Sequence, residues 1–436
     1  MFYSPVDRKG QRMTDTDINH LIERLWTGEA AMEEWTAAVA GGAINAISDD
    51  MIVVSTSYLF GNVTAIRTDE GLVLVDTGSR ESAKQTLDAI RRWDDSRIHT
   101  VIYTHGHIDH TWGARLLDQE ADAANVPRPH IVAHRNVLGR MQRYDESQDL
   151  NSLVMGRQFN HAGYVFPGDH RRPDVVYDDT LSLTIGGLRL ELAHGRGETD
   201  DATYVWLPEK RVLVSGDFVI WVFPNAGNPR KVQRFAPEWA STLRRMQALG
   251  PLVLVPGHGP VVADSARVAR VLEDGAGALE SLVEQTLGRM NAGQSLNTIL
   301  QEVRAPAELL GKPYLRPKYD DPEFVVRGIW HLYAGWFDGN PAHLKPAADD
   351  ELGAEIAALA GGVEALTRRA EALVGMGRTR LAAQLIEFAA AAAPASKDVH
   401  TVRAAVYAAC VEAETSLIGK AIMAVSKRES EERAGS

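Results

Sequence analysis

The stretch Thr104-His105-Gly106-His107-Ile108-Asp109-His110 gathers three imidazoles and a carboxylate within six residues, directly after the apolar run at 100–103. On a turn leaving a strand these side chains can converge on a small volume. Neutral imidazole and carboxylate suit zinc and related first-row metals. The chain has only 14 histidines in 436 residues, so three at this spacing point to a metal site and not to a merely polar loop. So short a segment cannot close two metal sites, and distant ligands are needed. Glu198 lies in His194-Gly195-Arg196-Gly197-Glu198-Thr199, Asp217 in Ser215-Gly216-Asp217, and His258 in Pro256-Gly257-His258-Gly259. Glycines beside each allow close backbone approach. A single strand-end Asp beside Gly is usually a turn residue; the order of all three after the His-rich turn favours ligands.

These residues need a scaffold. Runs rich in Val, Ile, Leu, Thr and Tyr at 52–67, 71–76, 98–104, 181–193, 202–207 and 211–216 read as strands. Helical patterns fall at 79–93, 111–120 and 237–248, and an amphipathic helix is expected over 15–39. Strands mixed with helices predict a layered α/β domain. After Asp264 the strand signal fades. Helices are expected around 268–283 and over 324–337, 351–375, 379–393 and 399–427, several of them Ala-rich, with proline-bearing connectors at 311–322 and 340–350. The charged tail 426–436 reads as frayed. The chain therefore divides into a catalytic domain over 1–264 and an all-helical domain over 265–436.

Composition narrows the classes. Lys plus Arg is 46 and Asp plus Glu 58, a formal charge of −12, a poor match to nucleic acid or an anionic membrane. One cysteine, Cys410, excludes an internal disulfide and a thiolate cage. The start, residues 1–8, lacks the apolar core of a secretion signal, and no run is long enough to span a membrane. The expectation is a cytoplasmic protein acting on a small molecule.

The metal-loop motif, the distant acids and histidine, and Val73-Leu74-Val75-Asp76-Thr77-Gly78 together resemble the metallo-β-lactamase superfamily over about residues 50–263. The resemblance implies an αββα sandwich with metals at one edge between two sheets, and Asp76 supporting the metal loop without being a ligand. Most members have His where this chain has Glu198. Glu there, followed 19 residues later by an acid, resembles the zinc-dependent alkylsulfatases. That likeness implies His105, His107 and Glu198 on one zinc, Asp109, His110 and His258 on the other, and Asp217 bridging, one carbon shorter than the Glu usual there. It makes Asp109 and Asp217 the catalytic candidates and two Zn2+, or other divalent first-row metals, the cofactor.

Asn225 and Arg230, 8 and 13 residues after Asp217, fall on that family's sulfate-contacting positions. Arg offers a planar fork to an oxyanion and Asn a hydrogen-bond donor. Lys231 and Arg234 read as surface residues. The region 135–180 matches the family poorly, with Met155 about where a tyrosine is expected; His161, Tyr164 and His170 are the candidates there for protonating a leaving group. Tyr333-Ala334-Gly335-Trp336-Phe337-Asp338-Gly339-Asn340-Pro341 resembles a signature of the alkylsulfatase dimerisation domain, and 379–427 its closing helix pair. A homodimer through the helical domain is implied, with Trp330 and Trp336 involved, and trimming 320–436 is expected to abolish the dimer but leave the catalytic domain folded. The sequence ends before the lipid-carrier-like domain of enzymes acting on long detergents, which points to small or medium alkyl sulfates.

The expected reaction is hydrolysis of a sulfuric ester by a metal-bridging hydroxide. Hydrolysis of another ester class (thioester, lactone, carboxylic ester or phosphodiester) uses the same donors. A dimeric scaffold with a vestigial site is the third reading, disfavoured because seven buried polar ligands are costly without metal.

Overall fold

The structure, a computed structural model, describes residues 15–57, 59–159, 161 and 163–435. The leader reading of residues 1–8 lies outside these. Two sheets form the centre. The first runs in chain order through β1 (Ala43–Ser48), β2 (Met51–Ser55), β3 (Val63–Thr68), β4 (Gly71–Val75), β5 (Ile98–Ile102), β6 (His130–His134) and β7 (Val175–Tyr177). It is antiparallel as far as β4 and parallel from β4 to β7. The second contains β8 (Thr180–Ile185), β9 (Leu188–His194), β10 (Thr203–Leu207), β11 (Val212–Gly216), β12 (Val253–Pro256) and β13 (Val262–Ala263), ordered β13-β12-β11-β10-β9-β8. Only β11 and β12 are parallel in it.

Burial follows from strand alternation. Met51, Val53 and Val75 meet Leu192, Val205 and Val214 between the sheets. The opposite side chains of the first sheet, Ile52, Val54 and Leu74 among them, pack under helices that supply Ile90, Leu117 and Met141. The outer face of the second sheet, through Trp206, Leu213 and Leu254, lies under Trp239, Leu243 and Leu272. Both faces of each sheet are covered, which is why β2, β4, β10 and β11 are buried at every position. This is the αββα sandwich, followed by an all-helical segment.

Asp264 accepts from the backbone N–H groups of Ala266 and Arg267 at 3.0 Å and so starts the helix Ser265–Asn291. That helix and Pro322–Ala334 share one apolar cluster with the second sheet, contributing Val268, Leu279, Val325 and Ile329. A separate cluster, including Leu366, Ile386 and Val406, holds the helices from Asp349 to Ala413 together. Trimming 320–436 would therefore cut into the core of the sandwich, against the expectation above.

Several elements differ from their sequence reading. The run 181–193 is a hairpin, because Gly186 and Gly187, at φ 50° and 81°, make the two-residue turn that joins β8 to β9. The helix expected over 15–39 splits into Asp15–Thr27 and Met32–Val39 around Gly28, at φ 80°. Gly361-Gly362 likewise divides 351–375 into Asp349–Leu359 and Val363–Gly375. The tail is not frayed: Leu417–Gly435 is one helix, with Ser430 buried and Glu429 paired to Arg157 at 2.9 Å.

Candidate metal centre

The seven expected ligands meet at one end of the sandwich, where parallel strands finish. The turn 103–107 leaves β5, Asp217 follows β11, and His258 follows β12. Because β11 and β12 are parallel, with Gly216 opposite Pro256, Asp217 and His258 emerge side by side. Glu198 comes from the loop between β9 and β10. Gly257 makes this approach feasible: a Cβ there would lie 2.0 Å from Asp217 Oδ1.

Two groups of donor atoms result, each with its members within 4.8 Å of one another: His105, His107, Glu198 and Asp217, then Asp109, His110 and His258. Asp217 faces both. Its Oδ2 is 3.7 Å from His105 Nε2, and its Oδ1 is 3.3 Å from His110 Nε2 and 3.4 Å from His258 Nε2. Glu198 Oε2 lies 3.3 Å from His107 Nδ1, and Asp109 Oδ2 3.4 Å from His258 Nε2. Glu198 Oε2 and Asp217 Oδ1 are buried without a hydrogen-bond partner among the described residues. Orphaned carboxylate oxygens beside imidazoles are costly unless a cation joins them, and this nitrogen and oxygen donor set fits zinc.

Outer partners fix the candidate ligands. His110 Nδ1 is 2.7 Å from Asp76 Oδ2, which leaves Nε2 to the centre. Asp76 also accepts from the Thr104 backbone N–H and hydroxyl, at 2.7 and 2.8 Å. Asp201 Oδ2 accepts from Gly106 N at 3.1 Å and Arg140 Nε at 2.8 Å, holding the turn between the first two histidines. Burial, with neighbouring His110 and His107, pushes His105 down to about 3, so its ring is neutral. Burial works against the Glu198 carboxylate, but Arg234 and His107 hold it down at about 2.

A cavity of about 350 Å3 opens above the centre. Leu59, Phe60, Ile108, Phe159, Phe166 and Ile220 give it apolar walls; His107, Asp109, Glu198, Asp217 and His258 lie at its polar end. Asn225 lines it, with its amide nitrogen donating to Glu198 Oε1. Arg230 does not line it; that side chain lies in the field of Arg157 and Glu429. Lys231 and Arg234, read from sequence as surface residues, do line it. Arg234 is 4% exposed and donates to Glu198 Oε1 at 2.5 Å and to the Asn225 carbonyl. Of the proton-donor candidates, His161 and Tyr164 line the cavity, while His170 packs beside Tyr144 and Phe166.

Sequence reasoning also missed Tyr319 and Gln158. The Tyr319 hydroxyl accepts from Gln158 Nε2 at 3.0 Å in the cavity wall, although its segment reads as a proline-bearing connector. Asp320, fully buried, accepts from Gly227 N at 2.6 Å and ties that segment to the loop carrying Asn225.

Residues 57–258 match the metallo-beta-lactamase superfamily, and residues 295–433 match alkyl sulfatase dimerisation. A linear primary-alkylsulfatase of a Pseudomonas sp. is 28% identical over 348 residues, covering 74% of this chain and 65% of that protein. An (R)-specific secondary-alkylsulfatase of Pseudomonas sp. is 30% identical over 369 residues, 79% of this chain and 56% of that protein. The chain thus spans less than two thirds of either relative. The solved stereoselective inverting sec-alkylsulfatase Pisa1 from Pseudomonas sp. has the same fold, with a TM-score of 0.81 at 23% identity over 99% of this chain and 72% of that one.

Proposed function

We propose that this chain, which joins a metallo-beta-lactamase superfamily domain to an alkyl sulfatase dimerisation domain, hydrolyses sulfuric esters with two zinc ions. The observation that carries the two-metal reading is the Asp217 carboxylate, one oxygen toward His105 and the other toward His110 and His258. His105, His107 and Glu198 would hold one ion, Asp109, His110 and His258 the other, with Asp217 shared. When bound, such ions supply Lewis acidity and lower the pKa of water toward neutrality.

The chain's own residues do the rest. Asp76 orients His110, while Arg234 and Asn225 fix Glu198 on its Oε1 side and leave Oε2 for the centre. The apolar walls accept the carbon skeleton of an ester. Similarity to alkylsulfatases on both sides of residue 264 supports a sulfate ester as the substrate. The dimerisation match, with Tyr333 and Trp336 53% and 67% exposed, supports a homodimer through that face. No helix among the described residues is long and apolar enough to cross a membrane.

The test is metal content by elemental analysis, with sulfate release from primary and secondary alkyl sulfates measured beside thioester and lactone turnover. Two equivalents of zinc and sulfate release are expected. Turnover of a thioester or lactone without sulfate release would overturn the sulfuric-ester assignment.

A further inference from the structure

Among the described residues, Lys231 lines the cavity with no carboxylate in ion-pair contact. Its Nζ lies 3.1 Å from Met155 Sδ. Arg234, the other basic side chain lining the cavity near the centre, is already matched by Glu198. A thioether is a weak acceptor and does not offset a desolvated ammonium. An anion entering the cavity would.

We propose that Lys231 receives the anionic group of a substrate whose apolar remainder lies along the cavity walls, the part that the spacing from Asp217 assigned to Arg230. The ligand class is an apolar chain bearing one compact tetrahedral oxyanion. The proposal rests on the sulfuric-ester reading for the identity of that group. Geometry separates the two neighbours. Arg230 is not part of the cavity lining and lies in the field of Arg157, on the helix Gln148–Gln158, and of Glu429, on the C-terminal helix, while Lys231 shares the cavity wall with Met155 and Gln158. An ammonium is a point charge that satisfies a tetrahedral oxyanion without the bidentate geometry of a guanidinium. Met155 contributes the neutral, compliant surface against which the ammonium rests until the anion arrives.

Octyl sulfonate, which keeps the anion and tail of an alkyl sulfate but has no ester oxygen to cleave, is the probe. Its affinity for the full-length protein is measured by calorimetry for wild type, Lys231→Gln, Lys231→Arg and Arg230→Gln. Loss of one charge-assisted contact corresponds to about tenfold weaker binding or more in Lys231→Gln. Lys231→Arg should recover part of it, and Arg230→Gln should match wild type. Weakening in Arg230→Gln with Lys231→Gln unaffected would overturn the proposal, as would a wild type that does not bind the probe. Octyl sulfate turnover by the same proteins separates the two readings. Lys231-dependent binding without sulfate release would sink the sulfuric-ester assignment and leave the anion contact standing. Sulfate release with an unchanged KM in Lys231→Gln would do the reverse.

Discussion

Arg234 donates from Nη1 to Oε1 of Glu198 at 2.5 Å, while the other oxygen of that carboxylate faces His107 at 3.3 Å. One side of the carboxylate is therefore anchored by protein, and the other is left to the centre. Replacing Arg234 by Gln should free Glu198 to swing and should lower metal affinity about 10–100-fold, the usual consequence of losing an outer partner of a ligand. Chelator competition monitored by metal release measures this. Affinity equal to wild type would remove Arg234 from the architecture of the centre.

Burial, reinforced by the positive charge of Arg234, pushes Lys231 down to about 8. Arg140 acts in the same direction, whereas Glu198 and Asp109 hold the ammonium charged. The cationic form exists below that value, so if it receives the substrate anion, kcat/KM should fall as pH rises through about 8. Lys231→Arg, charged throughout this range, should lack that limb. A limb of unchanged position in the Arg variant would assign it to another group.

Gly257 sits where an added Cβ would meet Asp217 Oδ1 at 2.0 Å and the Gly216 carbonyl carbon at 2.7 Å. Gly257→Ala should thus move the shared carboxylate or the β11 terminus. We expect a loss of about 1–3 kcal/mol of stability from overpacking, together with substoichiometric metal. Thermal melting and elemental analysis check both; full metal content at an unchanged Tm would show that the strand ends yield.

Trp336 is 67% exposed beside Tyr333 in the segment that matches alkyl sulfatase dimerisation. Trp336→Glu should convert the protein to monomer in light scattering without altering its circular dichroism. A dimer that survives would place the interface on another face.

The convergence of the candidate ligand loop was legible because four of its donors are nearly contiguous, and a strand must deliver them together. Glu198, Asp217 and His258 were legible as candidates by their order, Glu198 between two strand runs and the other two at the ends of apolar runs. Arg234 and Lys231 were not: a basic residue in a Gly/Pro-rich loop carries no mark of burial. Their surroundings come from distant chain, the helix Gln148–Gln158 over Lys231 and the segment 319–320 behind the Asn225 loop. Tyr319 was hidden by the same cause. Its prolines report backbone conformation and say nothing of what its ring covers. β7 escaped because three residues are too few for alternation to stand out, and β6 because only Ile131, Val132 and Ala133 between two histidines mark it as apolar.

The segment 318–320 is held from both sides, by Gly227 through Asp320 and by the start of the last helix, where Leu417 N and Ile418 N donate to the carbonyls of Lys318 and Tyr319 at 2.8 and 3.3 Å. Gly227 itself tolerates no side chain, since a Cβ would come within 2.1 Å of Val325 N. The two halves of this chain are thus not interchangeable cassettes. A hybrid that exchanged everything after residue 264 with a relative would inherit a foreign backing for its own Asn225 loop. Recombination between such proteins should succeed only when the loop at 224–234 travels with the helices that seat it.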